Sequence, residues 1–145
     1  MPEGGRPGTV ECHLEGPAEV SILEDAHLLL EQVWAEVPDL DPGDRIRFEI
    51  AVVEILGNIV EHAFAADQAH PGRRLELTVT ADADALVAEM GDNGEPVGLD
   101  LHDVSLPEID DESGRGLAMA KASVDEISYD RVEGCNRWRL CCRRR

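Results

Sequence analysis

Long apolar runs are missing from this chain. No stretch approaches the roughly 18 consecutive apolar residues that a membrane-crossing helix needs, and the opening MPEGGRPG has none of the apolar character of a secretory leader. Neither a helical membrane span nor an export signal is expected, and the chain reads as soluble and cytoplasmic. Positive charge is scarce as well. Thirteen basic residues, of which Lys121 is the single lysine, stand against 31 acidic ones, for a formal net charge of −18. Such a field repels nucleic-acid backbones and anionic lipid, so no direct nucleic-acid or membrane partner is expected. The four cysteines, Cys12, Cys135, Cys141 and Cys142, form no C-x-x-C pair, which is poor spacing for a zinc knuckle or a disulfide framework. They read as reduced thiols packed in strands; Cys12 and His13 would meet Cys141 only if the terminal strands paired. A G-x-x-x-x-G-K-[ST] loop is absent too, so any nucleotide is held by something other than a P-loop.

What remains suits one globular domain, expected over residues 8–143 with a disordered N-terminus at 1–7. Charge is unevenly spread along it. Residues 131–145 hold six Arg and one Glu, which leaves about −23 on everything before them. A basic partner surface would be steered to the body of the domain.

Hydrophobic periodicity predicts the elements. Thr9 to Glu15 alternates as a half-buried strand. Glu19 to Val37 puts Ile22, Ala26, Leu29, Leu30 and Val33 at helical spacing and stops before Pro38. Asp41-Pro42 supplies a cap and a first-turn proline for a second helix reaching about Phe64. Strands follow at Leu75 to Val79 and Leu86 to Met90, then a loop of about 20 residues from Gly94 to Ser113 with an excess of acid. A short helix at Gly116 to Ser123 and strands at Val124 to Tyr129 and Arg137 to Cys142 complete the chain. The sum is a two-layer α/β sandwich, with helices on one face of a mixed, mainly antiparallel sheet.

Three short motifs carry chemistry. Glu54, Asn58 and His62 recur every four residues in EILGNIVEH, which stacks a carboxylate, an amide and an imidazole on one helix face. Magnesium takes oxygen ligands and keeps substrate phosphates in its shell, so the Asn58 amide oxygen suits it as a protein ligand. Glu54, one turn earlier, could then orient or deprotonate a hydroxyl beside the γ-phosphate. Asp92-Asn93-Gly94 sits at a strand end, where the glycine lets the backbone turn and Asp92 offers an acceptor. Gly114-Arg115-Gly116-Leu117 leaves backbone N–H groups open to a phosphate near a helix start, and Arg115 could clamp it.

In this order the motifs resemble the N box and the two glycine boxes of the GHKL ATPase superfamily, and most closely its small anti-sigma-factor serine kinases of the RsbW type. The resemblance runs from about Val10 to Cys142. It implies a Bergerat-type ATP-binding fold, with ATP and Mg2+ as cofactors, Glu54 as catalytic base and Asn58 as the metal ligand. His62 would lie near phosphate, and Asp92 would accept the adenine amino group with Gly94 beside it. Gly114, Arg115, Gly116 and Leu117 would form the second glycine box. It further implies an ATP-dependent serine/threonine protein kinase that binds a sigma factor and phosphorylates an anti-anti-sigma (STAS-type) antagonist on serine, and, since such kinases are commonly dimers, a homodimer. Near the last strand the family often carries threonine, where this chain has Cys135 and Asn136. Two other readings stay open: a non-catalytic, nucleotide-gated module that sequesters a regulator, and a detached histidine-kinase domain. Glu54 favours the serine-kinase reading over both, because a serine hydroxyl needs a base and a neutral imidazole does not.

Overall fold

The computed structural model describes residues 8–66, 72–94 and 112–145. Five strands and three helices follow the order β1 (Val10–Pro17), α1 (Ser21–Glu36), α2 (Pro42–Ala66), β2 (Arg74–Ala81), β3 (Ala85–Asp92), α3 (Glu112–Ser123), β4 (Glu126–Val132) and β5 (Cys135–Arg143). The sheet runs β1-β2-β3-β5-β4, and all four ladders are antiparallel. No parallel pair occurs among the described residues. No helix there is long and apolar enough to cross a membrane.

The apolar stripe of α1, Ile22, Ala26, Leu29, Leu30 and Val33, is buried. The helix ends where the Val37 N–H returns to the Trp34 carbonyl at 3.2 Å, one residue before Pro38. Asp41 then caps α2 by accepting the Asp44 N–H at 3.2 Å. A Cβ on Gly43 would come within 2.9 Å of that same Asp41 oxygen, so the cap and the glycine go together. Trp34 meets Phe48 edge to face, with ring centroids 6.1 Å apart, and locks α1 to α2. Phe48, Val52, Ile55, Leu56 and Ile59 of α2 lie buried over Leu77, Val79, Ala88 and Leu140 of the sheet. Burial of each large side chain contributes about 1.5–3 kcal/mol.

The opposite face of the sheet stays polar, with His13 bonded to Thr78 at 2.9 Å and Arg137 paired with Glu76 at 3.8 Å. The β2–β3 turn is closed by Asp82, whose Oδ1 accepts the N–H groups of Asp84 and Ala85 at 2.7 and 2.8 Å. The β4–β5 hairpin turns through Glu133 and Gly134, at φ 51° and 80°, in the two-residue form that matches strand twist.

All four cysteines are free. Strands β2 and β3 separate β1 from β5, so Cys12 faces Val79 across the first ladder and does not meet Cys141. Burial pushes the Cys142 thiol up to about 11, although Arg47 pulls the other way. A disulfide reagent at neutral pH is expected to label the partly exposed Cys12 and Cys135, and to reach buried Cys141 and Cys142 only after denaturant is added. Mass spectrometry of the labelled peptides checks this.

Candidate functional site

Glu54 and Asn58 lie half-buried on one flank of α2, beside the fully buried stripe of Ile55, Leu56 and Ile59. Arg47 occupies the same flank two turns earlier. Its guanidinium reaches Asp125, just beyond the end of α3, at 3.4 Å, so this flank turns toward α3. α2 also packs on β3 and β5. The spacing of four thus sets the carboxylate and the amide one turn apart on the same flank of α2. His62 continues the same helix, but its side chain lies outside the described residues.

The second glycine motif falls on α3, and here the structure differs from expectation. The helix begins at Glu112, four residues before the expected start at Gly116, so Gly114 and Arg115 belong to its first turn rather than lying ahead of it. Each glycine costs a helix only about 1 kcal/mol, and Leu117, Ala118 and Ala120 are buried, with α3 packed on α2. Leu117 is core, at 2% exposure. The side chain of Arg115 and residues 95–111, the greater part of the acidic loop, lie outside the described residues.

Asp92 is the last residue of β3, paired with Leu75 on one side and Asn136 on the other. Its Oδ1 accepts two hydrogen bonds, from the Gly94 N–H at 2.8 Å and from Asn136 Nδ2 at 2.9 Å. A Cβ on Gly94 would approach that oxygen to 2.8 Å, so no larger residue keeps the turn as it is. Asn93 ties the same corner to the start of β2: its Oδ1 accepts the Arg74 N–H and its Nδ2 donates to the Gly72 carbonyl, each at 2.8 Å. A cleft of about 220 Å³ opens at this end of the sheet, lined by Asp92, Asn93, Arg74, Glu76, Cys135 and Arg137 among others. Glu54 and Asn58 do not line it.

Sequence reasoning missed the partners of Asp92. Asn136 is 1% exposed, and its Oδ1 accepts from the Tyr129 hydroxyl and from Arg131 Nη1. Tyr129 packs against Trp138 with the rings tilted by 51° and their centroids 4.8 Å apart. The indole N–H of Trp138 is buried without a hydrogen-bond partner among the described residues. The signals in the sequence were an asparagine inside an alternating strand and its place where the resembled family often carries threonine.

Residues 17–142 match the histidine kinase-like ATPase domain family. The chain belongs to that family. Two solved structures share the fold of this histidine kinase-like ATPase. The RsbU and RsbW domains of a Mycobacterium tuberculosis protein superpose with a TM-score of 0.63 at 23% identity, over 93% of this chain and 32% of that one. The SiaB–SiaC complex from Pseudomonas aeruginosa gives 0.63 at 14% identity, over 91% of this chain and 89% of the other. The ATPase domain described here therefore spans about a third of the length of the first. No curated protein sequence matches it.

Proposed function

We propose that this domain is an ATP-dependent serine/threonine protein kinase that acts as an anti-sigma factor in the cytoplasm. It binds a sigma factor and phosphorylates a STAS-type anti-anti-sigma antagonist on serine. The observation that carries this reading is the placement of Glu54 one turn before Asn58 on the α2 flank that faces α3. An amide oxygen at Asn58 suits magnesium, which prefers oxygen donors and retains phosphate oxygens in its shell. The bound ion would supply charge neutralisation at the phosphates. Glu54 would take the proton from the incoming serine hydroxyl, which makes the oxygen a competent nucleophile. Asp92 would accept from the adenine amine, while His62, Gly114, Arg115 and Gly116 would lie along the phosphates. Kinship to the RsbW domain and to the SiaB–SiaC complex supports a partner-binding role. The strongly acidic body would repel the antagonist once it carries phosphate.

The test has two arms. Calorimetry with Mg-ATP and Mg-ADP is expected to show saturable binding, and labelled γ-phosphate is expected to appear as acid-stable phosphoserine on an antagonist captured from the native cell. Binding without transfer would convert the protein into a nucleotide-gated module, and acid-labile phosphate would mark a histidine kinase. Absence of any binding at millimolar nucleotide would end the nucleotide reading.

A further inference from the structure

We propose that Asn136, held by Tyr129 and Arg131, is a positioning residue for Asp92 that sets selectivity for an amino-bearing base. This rests on the reading of Asp92 as the base acceptor. The hydrogen-bond inventory carries the argument. A carboxylate oxygen has two lone-pair directions, and Oδ1 of Asp92 has both in use, one toward the Gly94 N–H and one toward Asn136 Nδ2. Among the described residues no donor reaches Oδ2. Asp92 therefore presents one defined oxygen to a ligand rather than either of two.

The Asn136 amide cannot reverse this arrangement. Its oxygen already accepts from two donors, the Tyr129 hydroxyl and Arg131 Nη1, the latter at 3.0 Å. Turning the amide over would set its NH2 against those donors and its oxygen against the Asp92 carboxylate, at a site with 1% exposure and almost no water to compensate. Arg131 closes the circuit: the same Nη1 donates to the Gly94 carbonyl at 3.1 Å, and Nη2 donates to the Gly134 carbonyl at 3.2 Å. The β4–β5 hairpin, the Gly94 peptide and the Asp92 carboxylate are thus joined in one ring of hydrogen bonds.

A fixed carboxylate oxygen accepts from an exocyclic amine, as on adenine, and repels a carbonyl oxygen at the same place, as on hypoxanthine. Without Asn136 the carboxylate would be held by the Gly94 N–H alone and would turn more easily, and part of that discrimination would disappear.

The experiment uses the full chain and compares Mg-ATP with Mg-ITP, which differ at this one group, by calorimetry, with thermal midpoints recorded in parallel. Asn136→Leu is close in volume and has no polar atoms. It is expected to weaken ATP about tenfold and leave ITP within about twofold, so that the ATP/ITP preference collapses. Arg131→Gln, at an exposed and foldable position, is expected to lower the preference by a smaller factor. It keeps the test decisive should the leucine variant not fold. Parallel loss of ATP and ITP in the variants would show a merely structural role, and an unchanged preference would show none; either overturns the proposal. A wild-type protein that binds ATP but not in preference to ITP would overturn it while leaving the nucleotide site standing. Wild type that binds neither nucleotide removes both.

Discussion

Replacing Glu54 with Gln is expected to reduce phosphoryl transfer to a serine substrate by about 10²- to 10⁴-fold, the usual contribution of a positioned general base. Mg-ATP affinity is expected to stay within about threefold, because the change removes an interaction made with the hydroxyl and not with the nucleotide. The side chains are nearly isosteric, and position 54 is a half-buried flank of α2 rather than its core, so the fold has no reason to respond. Asn58→Ala should behave differently. It would remove the proposed magnesium ligand, so binding of Mg-ATP is expected to fall together with transfer. Single-turnover transfer from labelled ATP, alongside calorimetry for each variant, separates the two. Unimpaired transfer by Glu54→Gln would remove this carboxylate from the chemistry.

Asp44→Ala is expected to destabilise the domain by about 3 kcal/mol, as removal of one member of a buried ion pair does, and to lower Tm by roughly 10 °C. The Asp44 carboxylate is fully buried in the first turn of α2. Its Oδ1 accepts from Arg47 at 3.2 Å, and its Oδ2 accepts the Arg145 N–H at 2.8 Å. Arg47 passes the connection on to Asp125, whose Oδ2 also accepts the Arg143 N–H at 2.6 Å. Loss of Asp44 leaves the Arg145 N–H without this acceptor and takes one of the three partners of Arg47, which keeps Asp125 and the Arg143 carbonyl. Calorimetric unfolding measures the cost, and a change under about 1 kcal/mol would mean that desolvation cancels the network's attraction.

The same network predicts a dependence on acid. The Arg143 N–H, assisted by Arg47, holds the Asp125 carboxyl below its ordinary value against the opposing effect of partial burial. The folded state then binds fewer protons than the unfolded one as pH falls past about 3.9, so the stabilisation is complete above that pH and drains away below it. Asp125→Asn should flatten that part of the stability profile.

Most of the architecture was legible because it rests on periodicity. The stripe of α1, the proline after it and the Asp41-Pro42 start of α2 place two helices within two residues of their observed ends. The Glu54 and Asn58 flank follows from a spacing of four. What stayed hidden depends on long-range register. Asn136 became the partner of Asp92 only through the β3–β5 ladder, across 44 positions, and Asp44 met Arg145 across 101. Nothing in a local window marks either pairing. The start of α3 was misplaced for the opposite reason: the glycine at 114 argues locally against a helix, whereas packing on α2 carries the helix through it.

The strand order also dictates a timetable. Hairpins β2–β3 and β4–β5 can zip within microseconds once made, but β1 finds its ladder partner among the described residues at 74–81, beyond two intervening helices. During synthesis β1 must wait, unzipped, until both helices and the whole of β2 have followed it.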